Sequence, residues 1–185
     1  GSRLKFAAGE RFSVESLLTA MLLASANDAC AALALAHAGS TDAFVEKMNA
    51  RAADLGLANT NFTNPCGFDA PRHYSSARDL ARLARAALEH PVFAALVAQP
   101  VAQITTTDGK RAFRLRNKNA LIGSYEPAIG VKSGFTNRAG KCLIALARKN
   151  DVEVLLVMLH ANNRWWDAIG VLEHAFDEAG AHAVQ

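Results

Sequence analysis

The sequence predicts an α+β fold, a cluster of helices followed by an antiparallel sheet and a closing helix. Apolar residues recur at helical spacing through residues 14–88, strand-like segments follow residue 100, and helical spacing returns at residue 164. At 185 residues with 51% hydrophobic residues, the chain has enough apolar side chains for one sizeable core. Residues 1–185 are therefore expected to form a single domain.

The first helix, Val14–Ala24, has the clearest start signal. Ser13 is a good N-cap, and the helix is apolar almost all round, which is typical of a buried position. Gly56 is expected to end the third helix, and Ser76 with Asp79 forms a capping box at the start of the fourth. The second helix is expected over residues 29–38 and the third over residues 42–55. The fourth is expected to begin at residue 77 and to be stopped by Pro91.

Turn signals organise the rest of the chain. Residues 57–72 are rich in Asn, Thr, Pro and Gly and predict a long loop, a kind of segment that is often functional. Asp108-Gly109 predicts a hairpin between residues 101–107 and 110–115. Three antiparallel strands are expected over residues 129–134, 141–148 and 152–160. A C-terminal helix over residues 164–179 is expected to cover the sheet.

Composition and charge exclude several classes of function. The net charge is only +3 and the arginines are spread along helices, so the sequence does not favour nucleic-acid binding. No run approaches the roughly 18 apolar residues of a membrane span. Cys30, Cys66 and Cys142 are too few and too widely spaced to indicate a disulfide framework or a zinc site, and they leave the redox state open. No metal or cofactor is expected.

Two short motifs carry the candidate chemistry. Ser25-x-Asn27 lies between two predicted helices, and Lys132-Ser133-Gly134 lies on a predicted strand more than a hundred residues later. A cation, a hydroxyl and a glycine side by side on a strand can receive an anionic group and let another backbone approach closely. For an isolated Ser-x-Asn, helix capping by Asn27 or Asp28 is the simpler interpretation. The conjunction of the two motifs is therefore the informative observation.

Five segments in chain order resemble the low-molecular-mass penicillin-binding proteins, which are serine D-alanyl-D-alanine carboxypeptidases of the cell wall. They cover residues 9–18, 22–29, 48–57, 73–81 and 131–143 and include both motifs. The signature of this class is S-x-x-K with an S-x-N-like triplet and K-T-G. The resemblance implies a serine β-lactamase/DD-peptidase-like fold and a location in the cell envelope, periplasmic or extracytoplasmic. It also implies a peptidoglycan stem peptide ending in D-Ala-D-Ala as substrate and covalent binding of β-lactam antibiotics.

The resemblance implies acyl transfer, in which a serine attacks the carbonyl between two D-alanines and the S-x-x-K lysine takes its proton. Ser25 is expected to relay a proton toward the leaving amine, and Asn27 to hold the substrate amide and the lysine network. Lys132 is expected to supply positive charge, and the Ser133 hydroxyl to bind the terminal carboxylate.

The strand itself has a role in the same scheme. By resemblance, Gly134 allows the substrate to approach as an added edge strand, and the backbone N–H of Phe135 forms half of an oxyanion hole. Ser133 stands where threonine is usual, which keeps the hydroxyl and is expected to tune substrate or inhibitor preference.

The S-x-x-K motif departs from the pattern of the family. It is expected some tens of residues before S-x-N, but only 24 residues precede Ser25. Ser2-Arg3-Leu4-Lys5 is a formal match that lies where the family has a surface loop, with no apolar helical stripe around it. We expect instead that the chain begins after the nucleophile segment and the first strands of the sheet. A segment supplied in trans is then a candidate partner.

Three functions are consistent with these residues. A serine D-Ala-D-Ala carboxypeptidase is preferred for the parent protein. The alternative is a non-catalytic fragment or relative that binds peptidoglycan or a partner without the nucleophile. A class A-like β-lactamase ranks third, because no separate deacylating glutamate motif is present. His73, near the long loop, is a further candidate to approach the site.

Overall fold

The computed structural model describes residues 1–182 and confirms the α+β class. Helices occupy the first half, strands follow, and one long helix closes the described part of the chain. The elements are α1 Val14–Ala24, α2 Asn27–Ala38, α3 Thr41–Asp54, α4 Ala77–Leu88, α5 Pro91–Val97, β1 Val101–Thr105, β2 Ala112–Arg116, β3 Ala128–Thr136, β4 Gly140–Lys149, β5 Val152–Met158 and α6 Arg164–His182.

The helix starts follow the predicted caps. The Ser13 hydroxyl accepts the N–H of Ser16 at the start of α1, and the Ser76 hydroxyl accepts the N–H of Asp79 at the start of α4. Gly56 follows the end of α3 with a φ of 65°, a left-handed conformation that favours glycine. As expected, α1 is a core helix, because its apolar side chains belong to the larger of the two buried clusters.

The helix α5 was not predicted. Pro91 was expected only to end α4, but it also occupies the first turn of α5. The missing N–H of proline has no cost at that position, and its fixed φ already suits a helix. Leu96 and Val97 at the other end of α5 are buried in the larger cluster.

Two antiparallel sheets form the strand-rich part, as predicted. The strands β1 and β2 make a hairpin, and β3, β4 and β5 form a second sheet in that order, with Ser133 opposite Leu143. The larger apolar cluster, which contains α1, includes Val131 and Leu146 of this sheet. The smaller cluster joins Leu143 and its neighbours on β4 to α6. The sheet therefore lies between helices, and β3 is an edge strand.

The structure contains a disulfide that the sequence did not indicate. Cys30 in α2 is bonded to Cys66 in the long loop, with their Cα atoms 5.8 Å apart, whereas Cys142 is free. The bonded cysteines are 36 positions apart in the sequence, and this spacing gave no local signal. The fold of the loop back onto α2 brings the two sulfur atoms together, and spacing along the chain does not report such a contact.

Candidate active site

The Ser25-x-Asn27 motif lies at a sharp junction between α1 and α2. Ser25 is the C-cap of α1 in a left-handed conformation, with φ 53° and ψ 40°, and its N–H donates to the carbonyl of Ala20. Ala26 is the N-cap of α2 and supplies no side-chain cap, while Asn27 is the first residue of the helix. Helix capping by Asn27, the simpler interpretation of the sequence, is therefore wrong.

Asp28 holds the N-terminal segment as well as the first turn of α2, where its Oδ1 atom accepts the N–H of Ala29 at 3.1 Å. Its Oδ2 atom accepts the N–H groups of Leu4 and Lys5 at 2.9 and 2.8 Å. The N–H of Asn27 donates to the carbonyl of Ser2 at 2.9 Å. The first residues of the chain are thereby fastened along the start of α2.

Lys132 joins the two motifs. Its ammonium group donates to the Ser25 hydroxyl, 107 residues away in sequence, and to the carbonyl of Ser133 at 2.7 Å. Burial, together with the smaller effect of the nearby charges of Lys118 and Arg164, lowers the pKa of Lys132 to about 8. A lysine with a pKa of about 8 can both give up and take a proton near neutral pH.

Three cations, Lys118, Lys132 and Arg164, lie at this site without an acidic partner in the described part of the chain. Among residues 1–182, the side-chain ion pairs join other residues, and none of them includes Lys118, Lys132 or Arg164. Positive charges gathered without neutralising carboxylates attract an anionic ligand. The arrangement is that of an anion-receiving site.

Arg164, at the start of α6, was read from the sequence only as the first residue of a helix. Its guanidinium donates to the carbonyls of Gly134 and Cys142 at 2.6 and 3.1 Å and lies 4.4 Å from the ring centroid of Trp165. Its Nε atom is buried without a hydrogen-bond partner. Arg164 therefore braces the end of β3 and adds positive charge there.

Lys118 was also missed, because residues 117–119 look like an ordinary polar loop. Its N–H donates to the carbonyl of Leu23 near the end of α1, and its ammonium group donates to the Ser2 hydroxyl. The side chain of Asn119 is 1% exposed, donates to the Gly130 carbonyl at 3.0 Å and accepts the N–H of Leu121. The loop thus connects the Ser25 end of α1 to the strand that carries Lys132. An asparagine on each side of a lysine, directly after a strand, is the signal that could have indicated this.

The predicted binding residues on β3 differ in exposure. Ser133 is 6% exposed, Gly134 is exposed, and Phe135 is 64% exposed. A Cβ atom added at Gly134 would meet only the Cβ of Cys142, at 3.9 Å. The strand therefore has room for a side chain at this position, and the glycine leaves its outer face bare.

The segment from Ser2 to Lys5 is not a nucleophile motif. These residues lie outside any helix, Lys5 is exposed, and its φ is 59°. An S-x-x-K pair works when one turn of helix places both side chains on one face. The structure supports setting the formal match aside.

His73 does not join the site residues. Its Nδ1 atom accepts the N–H of Thr63 at 3.0 Å, and its ring packs edge-on against Phe62. Desolvation lowers the pKa of His73. The imidazole therefore fastens the long loop in its neutral form.

Within residues 1–182, no three His, Cys, Asp or Glu side chains are grouped so that they could hold a metal ion. The helices of the same range include none that is both long and apolar enough to span a bilayer.

Comparison with known proteins assigns the family. The family model for D-alanyl-D-alanine carboxypeptidase matches residues 1–163. The chain belongs to this family. It is 35% identical over 185 residues to a D-alanyl-D-alanine carboxypeptidase of Bacillus subtilis, covering 98% of this chain and 47% of the relative. A carboxypeptidase of Mycobacterium tuberculosis is 36% identical, with 89% and 58% covered.

A D-alanyl-D-alanine endopeptidase of Pseudomonas aeruginosa is 35% identical over 158 residues, with 85% of this chain and 51% of the relative covered. This chain thus spans about half the length of the curated relatives it matches.

Solved structures confirm the fold. The crystal structure of a Streptomyces DD-transpeptidase superposes with a TM-score of 0.88 at 30% identity, covering 96% of this chain and 72% of that one. A penicillin-binding protein homolog from Mycobacterium tuberculosis gives a TM-score of 0.74 at 38% identity, with 80% and 56% covered. The expected DD-peptidase-like architecture is therefore correct.

Proposed function

We propose that the whole protein is a serine-type D-Ala-D-Ala carboxypeptidase of peptidoglycan metabolism that works through an acyl-enzyme and binds penicillins. The observation that carries this proposal is the hydrogen bond from the Lys132 ammonium to the Ser25 hydroxyl, beside two further cations that form no ion pair within residues 1–182. Membership of the D-alanyl-D-alanine carboxypeptidase family supports it.

Ser25 is proposed to relay a proton to the leaving amine. Because its hydroxyl oxygen accepts a hydrogen bond from Lys132, the hydroxyl proton itself is free to point toward a ligand. When that proton passes to an amine, Lys132 can replace it, and its lowered pKa makes the transfer easier. Asn27, two residues later at the start of α2, is proposed to hold the substrate amide.

The substrate carboxylate is proposed to bind at the β3 edge. Lys132 and Arg164 supply positive charge, and the Ser133 hydroxyl supplies a hydrogen bond. The substrate lies along β3 as an added strand, with Gly134 leaving space and the N–H of Phe135 directed at the reacting carbonyl. The stem peptide ending in D-Ala-D-Ala fits these requirements, because it offers a carboxylate and a peptide backbone to pair.

A second function applies to residues 1–185 taken alone, namely binding without acylation. The only S-x-x-K in the sequence is Ser2 to Lys5, and those residues lie outside any helix with Lys5 exposed. The chain is therefore proposed to bind the peptide while the nucleophile comes from another segment.

The proposed location is outside the cytoplasm, in the cell envelope. The Cys30–Cys66 disulfide supports it, because such bonds persist in oxidising compartments and are rare in the cytosol.

Isothermal calorimetry with residues 1–185 tests the proposal. A peptide ending in D-Ala-D-Ala is expected to bind, and the same peptide with a C-terminal amide is expected to bind at least tenfold more weakly, since it lacks the charge that Lys132 and Arg164 receive. Lys132→Met is expected to remove this preference. Equal affinity for the two peptides would contradict the proposal. Intact mass after incubation with benzylpenicillin is expected to show no adduct, and an adduct on Ser2 or Ser25 would refute binding without acylation.

A further inference from the structure

The long loop makes a bridge between the two sides of the site. Cys66 is bonded to Cys30 in α2, the helix that begins with Asn27. Three residues later, the Oδ2 atom of Asp69 accepts the N–H of Arg138 at 3.2 Å, in the turn between β3 and β4. One short segment is therefore anchored both to the helix that carries Asn27 and to the end of the strand that carries Lys132.

This segment, residues 64–69, is named the strap. Its conformation is fixed by its own side chains. The Oδ1 atom of Asn64 accepts the N–H groups of Cys66 and Phe68 at 3.2 and 3.0 Å, and the Nδ2 atom donates to the carbonyl of Phe68 at 2.9 Å. The strap is thus a preformed turn and not a loose connection.

The anchor on α2 lies directly behind Asn27. Cys30 is three residues after Asn27, so both side chains lie on one face of the helix. The Sγ atom of Cys66 is 3.9 Å from the carbonyl oxygen of Asn27. A Cβ atom added at Gly1 would lie 3.3 Å from the Phe68 ring and would clash with the Asn27 amide, so Phe68 and Asn27 both border Gly1. A movement of the strap would therefore reach Asn27.

The reach of the strap is short. The three residues from Cys66 to Asp69 can span at most about 11 Å when fully extended. With both anchors made, the turn after β3 cannot move far from the start of α2. Releasing either anchor removes this limit, because a tether acts only when both its ends are attached.

We propose that the strap positions Asn27 relative to Lys132 and the strand around it, with the Cys30–Cys66 bond and Asp69 as positioning residues. This proposal rests on the proposed function, because it deepens the same site. The positioning residues act through other groups and do not touch the substrate themselves.

A double-mutant cycle on peptide affinity tests the strap. One variant releases the helix anchor (Cys30→Ser with Cys66→Ser), a second releases the strand anchor (Asp69→Ala), and a third combines all the substitutions. Each release is expected to weaken binding of the D-Ala-D-Ala peptide about tenfold. The combined variant is expected to show about the same tenfold loss, because the second release frees nothing further. Losses that multiply to about a hundredfold would overturn the proposal, as would unchanged affinity.

Tyr125→Phe is the matched control for simple loss of stability. The Tyr125 hydroxyl donates to Glu173 on α6, and in the described structure the side-chain hydrogen bonds of these two residues do not involve the strap. Even where Tyr125→Phe lowers the melting temperature as much as a release variant does, it is expected to keep the wild-type affinity for the D-Ala-D-Ala peptide. If the control weakens binding as much as the release variants do, the strap is merely structural and the proposal is wrong.

Amide chemical shifts separate failure of the strap from failure of the proposed function. In each release variant, the amide signals of residues 25–27 and of residues 132–135 are expected to move together, with no peptide present. Shifts confined to the strap would overturn the proposal. If the wild-type chain binds no D-Ala-D-Ala peptide, the proposed function fails, and these shifts still decide the role of the strap.

Discussion

Ser25 holds a conformation that serine rarely adopts. Its φ of 53° places it in the left-handed region, which costs a residue with a Cβ atom about 1–2 kcal/mol. The hydroxyl that this conformation presents to Lys132 explains why serine occupies the position in place of glycine. Strain of this kind, at a residue that contacts a buried lysine, is consistent with a functional position.

A pair of substitutions at Ser25 separates the conformation from the hydroxyl. Ser25→Gly and Ser25→Ala both remove the hydroxyl, but only glycine relieves the left-handed backbone. Ser25→Gly is expected to be the more stable by roughly 0.5–1 kcal/mol, because the relieved cost of about 1–2 kcal/mol exceeds the additional chain entropy that glycine loses. Urea unfolding measures the difference. If the alanine variant is as stable as the glycine variant, the left-handed backbone at Ser25 is not strained.

The buried ammonium of Lys132 makes stability depend on pH. Its pKa falls from 10.5 in the unfolded chain to about 8 in the fold. Below pH 8 both states are protonated and the full cost of the buried charge is present. Between pH 8 and 10.5 the unfolded state holds more protons, so stability rises with pH.

This cost can be measured against a variant that lacks it. The difference of about 2.5 in pKa corresponds to about 3 kcal/mol. Relative to Lys132→Met, the wild-type chain is expected to gain about that much unfolding free energy between pH 7.5 and 10.5, because other titrating groups cancel in the comparison. Denaturant unfolding across this range provides the test, and parallel pH profiles for the two chains would argue against it.

At the scale of elements, β3 depends on the loop before it. Asn119→Ala would leave the Gly130 carbonyl and the Leu121 N–H without their partner in a buried site, at a cost of about 2–4 kcal/mol. Asn162→Ala, at an exposed asparagine, is the control and is expected to stay within about 0.5 kcal/mol of wild type. Thermal unfolding of both variants provides the comparison, and equal stabilities would mean that Asn119 does not anchor the strand.

Local sequence signals predicted most elements. The bounds of α1 were predicted without error, because Ser13 and a long apolar run mark both its start and its extent. The strands of the second sheet were predicted within a few residues, since turn residues separate them. The sequence does not indicate α5, because a proline after an apolar helix is typical of a helix stop, although proline also suits the first turn of a helix.

The site could be predicted only in part for a physical reason. Ser25 and Lys132 were identified because each lies in a motif. Lys118 and Arg164 lie in no motif, and only the packing of the loop and of α6 against the sheet brings their charges near Lys132. Side chains gathered from distant segments leave no periodicity or spacing in the sequence.

For the whole molecule, the sheet is packed between two apolar clusters, and the site lies where α1, α2 and β3 meet. The larger cluster joins α1 and α5 to one side of the sheet, and the smaller one buries α6 against the other face. The hydrogen bond between Lys132 and Ser25 crosses this meeting point. Folding of the helices α1 and α2 onto the sheet therefore creates one anion-receiving site.

The most direct test is an NMR titration of the Lys132 side chain in residues 1–185, with and without peptide. We expect a pKa of about 8 for Lys132 in the free chain. We expect a higher pKa when a peptide ending in D-Ala-D-Ala is bound, because a carboxylate stabilises the ammonium form. The same peptide with a C-terminal amide should leave the pKa unchanged. Titration near the ordinary value of 10.5, with no response to either peptide, would contradict the central claim.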